Sequence, residues 1–361
     1  MRFWHWLVNK NDTMLGIKVR ISKGEKVRQW LKRKGLLDVG HVIFSKGGFV
    51  YIPVLGRLSD KGKRELAKKA KIEIVDEDFE KARHNRGKRL EEFLEHEKGI
   101  QKAYDVLGDI AIISEMNAKD AKKMGKAIMQ ANKRIKTVLM KKGAVSGIYR
   151  TRSYAYVCGE KKYVALYKEN GCVFRFDLRR TFFSTRLAYE RLRIAKQVKD
   201  KEHVMVMFAG VGPFAIEIAK MHKSAKVVAI ELNSYAYKSM LENIKLNKTG
   251  NVSAVNGDVA KEARKYRQWA DRIVMPLPKS AANFFGSVLA AAKDTCTVHY
   301  YAFGKPESAM AEQKRLIQKY FSSKNRRVEF LFSRVVRPYS PSEIEIVIDF
   351  KLIKQNKYKG K

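Results

Sequence analysis

Met207-Phe208-Ala209-Gly210-Val211-Gly212-Pro213-Phe214-Ala215 is the stretch on which the reading of the fold turns. The run at 204–207 is short and apolar, as a buried strand is. Glycines follow, which let backbone approach a ligand closely, and Pro213 suits the first turn of a helix. Strand, glycine turn and helix open a nucleotide-binding α/β unit. Working outward, short apolar runs recur at 227–230, 252–255, 273–275 and 297–302, with helical patterns from Phe214, Tyr235, Ala260 and Ala281 between them. That alternation predicts an α/β fold with a parallel, doubly wound sheet. A late strand is expected at 344–350.

The acids fall at the strand ends. Glu231 closes the second strand about 20 residues past the glycines, where a carboxylate can accept both ribose hydroxyls of an adenosine. Asp258 follows the third strand, within reach of an adenine amino group, although an acid there also caps helices. The fourth strand runs into Met275-Pro276-Leu277-Pro278-Lys279. Two prolines make a stiff loop over the crevice where such sheets hold ligands. Gly210, Gly212 and Ala215 also satisfy a GxGxxA fingerprint, so these residues alone leave a nicotinamide cofactor open.

The remaining sequence divides into modules. Residues 181–361 form the doubly wound domain. Residues 99–180 read as an α+β unit: strands at 104–113 and 149–158, a helix at 118–131, and a hairpin at 163–176 turning on Asn170-Gly171. Residues 1–57 read as a small domain with strands at 15–21 and 49–54 and a basic helix at 25–34 carrying Val27, Trp30 and Leu31 on one face. Residues 58–98, dense in both charges, read as a linker with helical stretches, one at 89–96.

Composition narrows the partner. The 361 residues are 45% hydrophobic and carry 75 Lys+Arg against 37 Asp+Glu, a net charge of +38. This is a globular chain that needs a polyanion, and nucleic acid is expected ahead of a membrane, since no amphipathic anchor stands out. Residues 1–8 are too short and too soon polar for a signal peptide or a span. Cys158, Cys172 and Cys296 have no CxxC spacing. They are expected as free thiols in a reducing cytoplasm, with no metal site.

Taken together, the quoted loop, Glu231-Leu232-Asn233, Glu242-Asn243-Ile244-Lys245-Leu246-Asn247 and Leu277-Pro278-Lys279 resemble the archaeal tRNA (guanine-37-N1)-methyltransferases. The likeness extends to Gly147-Ile148-Tyr149-Arg150-Thr151-Arg152, Phe183-Ser184-Thr185-Arg186-Leu187-Ala188-Tyr189-Glu190-Arg191, His299-Tyr300-Tyr301 and Arg337-Pro338-Tyr339-Ser340-Pro341. It reaches the first module through Gly35-Leu36-Leu37-Asp38 and Tyr51-Ile52-Pro53. The resemblance implies a class I, S-adenosylmethionine-dependent methyltransferase domain, preceded by an α+β tRNA-binding domain and a small N-terminal domain that grips the tRNA elbow. It implies tRNA as the partner, with no protein partner evident, and a cytoplasmic enzyme.

Carried over residue by residue, it implies cofactor contacts from Phe208, Gly210, Gly212, Glu231, Leu232, Asp258, Pro276, Leu277 and Pro278. Guanine N1 is protonated at neutral pH and a poor nucleophile, so a base and a cation beside O6 are required. The resemblance assigns Glu190 as base and Arg150 as O6 donor, with Arg152, Phe182 and Arg186 also on the substrate side. With Arg186 four residues earlier and Arg191 and Arg193 close by, a helical salt bridge is the alternative for Glu190. Three positions depart from the family. Val206 replaces an aspartate before the glycine loop. Phe182 replaces a clamp tyrosine, which keeps stacking and loses the hydroxyl. Pro276 replaces an asparagine expected to hold the guanine, and offers neither that amide nor a backbone N–H. Alternatives on the same nucleotide are a wyosine-pathway methyl or aminocarboxypropyl transfer and a catalytically impaired tRNA-binding relative. Arg186-Leu187 and Pro213-Phe214 favour the methyltransferase.

Overall fold

The structure, a computed structural model, describes residues 14–56, 58–80, 90–94 and 102–355. The readings of residues 1–8 and of Arg57 as a domain end lie outside the described residues. The chain divides into two compact units, Met1–Gly87 and Lys88–Lys361.

In the first unit, β1 (Met14–Arg20) leads into α1 (Ile21–Arg33), which buries Val27, Trp30 and Leu31 as its spacing requires. Gly35, at φ +67°, ends the turn. β2 (Phe44–Lys46) and β3 (Phe49–Pro53) follow. The expected linker is where the structure differs. Ser59 Oγ accepts from Gly62 N at 3.2 Å and caps α2 (Asp60–Ala67). β4 (Ile72–Glu77) then pairs antiparallel along β1 from Val19↔Ile72 to Met14↔Glu77. Leu58, Leu66 and Ala70 join the core of Ile17, Leu31 and Ile52. The dense charge here decorates the outer faces of a packed helix and strand. The sheet order is β2-β3-β1-β4.

In the second unit, α3 (Leu90–Phe93) lies within the helix expected at 89–96; Leu94 follows it as a turn, and residues 89, 95 and 96 are undescribed. The strand expected at 104–113 is instead a hairpin of β5 (Tyr104–Leu107) and β6 (Ile110–Ile113). Gly108 makes the turn at φ +63°, and a Cβ there would stand 2.3 Å from the Leu166 carbonyl oxygen. α4 (Ala118–Ala131), capped by Asn117, connects β6 to its parallel neighbour β7 (Thr137–Ser146), and β8 (Thr151–Gly159) completes the order β5-β6-β7-β8. β9 (Val164–Glu169) and β10 (Cys172–Asp177) form the expected hairpin, with Asn170 and Gly171 both at positive φ. This hairpin stands outside the four-stranded sheet. Phe174 and Phe176 pack with Val211, Ile216 and Ala236 of the following α/β layer. A domain edge at 180 would cut that core.

A 3₁₀ turn at Thr185–Leu187 enters α5 (Ala188–Ala195). Then come β11 (His203–Met207), α6 (Pro213–Met221), β12 (Lys226–Glu231), α7 (Ser234–Asn247), β13 (Val252–Asn256), α8 (Val259–Glu262), β14 (Ala270–Met275), α9 (Phe285–Ala291), β15 (Ala292–Gly304), α10 (Ala309–Ser322), β16 (Arg326–Ser340) and β17 (Glu343–Lys354). The seven-stranded order is β13-β12-β11-β14-β15-β17-β16. Its first five strands are parallel, as expected, and β17 runs antiparallel between β15 and β16. α7 is tied to the hairpin by side chains: Asn243 Oδ1 accepts from Arg175 N at 2.7 Å and Asn247 Oδ1 from Val173 N at 2.8 Å. Among the described residues, no helix is long and apolar enough to cross a membrane.

Candidate functional site

A cavity of about 500 Å³ opens over the carboxyl ends of β11, β12, β13 and β14. Strand order turns back at β11, where open α/β sheets take their ligands. Phe208, Gly210, Glu231, Leu232, Asp258, Pro276, Leu277 and Pro278 all line it. Gly212 is not among the lining residues; it caps α6 at φ +89°. A Cβ on it would approach Met240 Cγ to 2.9 Å, so the tight loop needs glycine there.

Glu231 is held by its own loop. Oε2 accepts from Gly210 N and Oε1 from Asn233 N, each at 2.7 Å. Burial pushes its pKa above the ordinary carboxylate value, and those two N–H groups oppose the rise. Each oxygen keeps a lone pair for a ligand hydroxyl. A pre-aimed carboxylate above an open glycine loop fits the ribose of an adenosine-bearing cofactor. Asp258 has both of its readings at once: Oδ1 caps α8 through Ala260 N at 2.9 Å, and the side chain faces the cavity. The proline loop is pinned, since Leu277 O accepts from Ala281 N and Pro278 O from Phe303 N, both at 3.1 Å.

The opposite wall comes from farther off in sequence. The β7–β8 turn brings Gly147, Ile148, Tyr149 and Arg150 to the cavity, and Phe182 and Leu187 join them. Arg150 Cζ sits 5.2 Å from the Phe182 ring centre, a cation over an aromatic face. Burial draws the Arg150 pKa down, while Tyr339 and Glu345 draw it up. A guanidinium remains charged throughout. Arg150 and Phe208 are non-glycine residues at positive φ, +53° and +55°. Such strain gathers where a site imposes it. Arg152 and Arg186 are not on this wall. They line an adjoining cleft of about 220 Å³ that shares Arg150, Phe182, Arg337 and Tyr339 with the cavity.

The carboxylate expected as base is also off the wall. Glu190 is fully buried on α5. Its Oε2 accepts from Arg193 Nη2 and Tyr301 Oη, both at 2.9 Å, and Oε1 pairs with Arg334 Nη2 at 2.7 Å. The helical salt bridge forms with Arg193, three residues on, and not with Arg186, which reaches Asp105 instead at 3.7 Å. Arg193 continues the network to Asp349, which also binds His299 Nδ1 at 2.7 Å. Burial pushes Asp349 up, but His299 and Arg193 outweigh it and hold its pKa at about 2.

Arg337, Tyr339 and Glu345 are among the wall residues given no role from sequence. Arg337-Pro338-Tyr339 had a signal, because it belongs to a motif. Glu345 had none. It reaches the cavity through the antiparallel insertion of β17, which pairs it with Arg337 on one side and Phe303 on the other.

Residues 165–331 match the family model of the TRM5/TYW2 methyltransferase domain. Residues 16–61 match the tRNA methyltransferase 5 N-terminal domain, and 88–162 the TYW2 N-terminal domain. The chain is similar to the tRNA (guanine(37)-N(1))-methyltransferase Trm5b of Pyrococcus abyssi, at 36% identity over 94% of this chain and 99% of that protein. It is similar to the tRNA 4-demethylwyosine(37)-methyltransferase Taw21 of Saccharolobus solfataricus, at 33% over 73% and 99%. Among solved structures it resembles aTrm5 in complex with tRNALeu, with a TM-score of 0.65 at 31% identity, covering 94% of this chain and 100% of that one.

Proposed function

This chain belongs to the TRM5/TYW2 methyltransferase family, and from that premise we propose that it methylates N1 of guanosine at tRNA position 37, using S-adenosylmethionine. The observation that carries this reading is the two-sided cavity. One wall has the adenosine-type set of Gly210, Glu231 and Asp258, and the other has Arg150 over Phe182.

Bound S-adenosylmethionine supplies an electrophilic methyl group. The chain's own residues do the rest. Glu231 accepts the ribose hydroxyls and Asp258 the adenine amine. Phe182 stacks on the target base. Arg150 donates to O6 as charge gathers there when N1 loses its proton. Arg152 and Arg186, in the adjoining cleft, meet the flanking backbone. Glu190 takes the N1 proton. For that, its enclosing contacts have to part. Arg334 is the one to leave: its side chain is 34% exposed, whereas the Glu190 side chain is 1% exposed. A tRNA phosphate draws a guanidinium away. Free thiols and a tRNA substrate accord with a cytoplasmic location.

A wyosine-pathway substrate is the second reading, favoured by Pro276 in place of the family asparagine. Methyl-labelled cofactor offered with guanosine-37 transcript, adenosine-37 transcript and tRNA bearing 4-demethylwyosine separates the two. Label in the first alone supports N1 methylation. Label in the third alone overturns it.

A further inference from the structure

Glu345 is a carboxylate on the wall of the substrate cavity with half of its hydrogen-bonding capacity unused. It is 1% exposed. Oε2 accepts from Arg337 Nε at 2.6 Å, and no hydrogen bond reaches Oε1 from any described residue. Glu345 lines the cavity, so its second carboxylate oxygen can accept from a donor that a ligand brings in. The surroundings specify that ligand further. Arg150 lies close enough for the two charges to act on each other, and Arg337 and Tyr339 stand on the same wall. Pro276, on the facing loop, has no side-chain amide to offer a base.

Resting on the N1-methyltransferase reading, the geometry points to Glu345 as the residue that recognises the exocyclic 2-amino group of guanine. The Watson–Crick edge of guanine carries an acceptor at O6, the reacting N1 in the middle and a donor amine at C2. Attack by N1 in the base plane leaves O6 on one side and the amine on the other. A cation serves the first and an anion the second. Arg150 and Glu345 are that pair of opposite charges on one wall. Arg337 fixes the Glu345 carboxylate through Oε2 and leaves Oε1 for the amine. Adenine, with a donor where guanine has O6 and no 2-amino group, would face Arg150 donor to donor and leave Glu345 unpaired. This deepens the substrate assignment: the site selects guanine through a carboxylate on β17 where the family asparagine is missing.

Single-turnover methylation of two transcripts, with guanosine or inosine at position 37, tests it. Inosine keeps O6 and N1–H and lacks only the 2-amino group. The parent enzyme is expected to favour guanosine by roughly 10- to 100-fold in rate over half-saturation, the range of one charge-assisted hydrogen bond. Glu345→Gln keeps the size and an acceptor for Arg337, and should lose that factor on guanosine while the inosine rate stays within about threefold of the parent. Calorimetry with S-adenosylhomocysteine reports whether the variant is folded. An equal loss on both transcripts makes Glu345 a structural residue and overturns the inference. If Glu345→Gln does not fold, the parent alone decides: guanosine and inosine methylated alike overturns the role of Glu345 and leaves N1 methylation standing. No transfer to guanosine-37 overturns both.

Discussion

At Glu231, two backbone N–H groups aim the carboxylate before any ligand arrives. Glu231→Ala should therefore lose roughly 1.5–3 kcal/mol of cofactor affinity, as for hydrogen bonds to a charged group. Calorimetry with S-adenosylhomocysteine reads this directly, and unchanged affinity in a folded variant contradicts the assignment. Glu190 carries a sharper test, because its burial gives it two roles to choose between. As a base, Glu190→Gln should slow single-turnover methylation about 10²–10⁴-fold with tRNA and cofactor affinity kept. As a mere tie between α5, Tyr301 and Arg334, the same change would lower thermal stability and leave the rate within about threefold. That Phe208, Gly210, Glu231, Leu232, Asp258 and the proline loop share one cavity was legible in sequence, because each sits at the end of a strand in one local unit. Glu345 was not, because its place depends on how β17 inserts beside β15, and no local pattern encodes that.

Among elements, those with a strong local signal were read closely. Asn170-Gly171 fixed its hairpin, and the apolar runs fixed the five parallel strands. Misreadings came where charge or a continuous apolar run hid a turn. α2 and β4 looked like linker because their exposed faces are charged, while Leu58 and Leu66 supply the buried face. β5 and β6 looked like one strand because apolar residues flank Gly108-Asp109 closely on both sides, and the turn takes only those two residues. That glycine gives a prediction. Gly108→Ala places a Cβ 2.3 Å from a backbone oxygen at φ +63°. It should destabilise the chain by at least about 1–3 kcal/mol, the scale of enforced backbone strain. Urea denaturation with an unshifted midpoint would show that the turn is not held as described. β16 went unread for another reason: its long, irregular ladder with β17 has several register shifts, which blur the two-residue alternation.

For the whole molecule, a net charge of +38 on 361 residues is a demand for a polyanion. The first compact unit, Met1–Gly87, closes its own core, so it can be removed as a piece. Its deletion should weaken binding to full-length tRNA and flatten the salt dependence, as phosphate contacts are lost. Single-turnover methylation at saturating enzyme should stay largely intact, because every residue placed at the cavity belongs to the second unit. An equal fall in the saturated rate would place chemistry in the first unit. Nucleoside mass spectrometry reads methyl transfer to N1 of guanosine 37 without any intermediate inference. A guanosine-37 transcript is incubated with S-adenosylmethionine and the enzyme, then digested, and the modified nucleoside is mapped. 1-Methylguanosine at position 37 and unmodified guanosine elsewhere are expected; a transcript that stays unmethylated, or is methylated at another atom or position, contradicts N1 methylation.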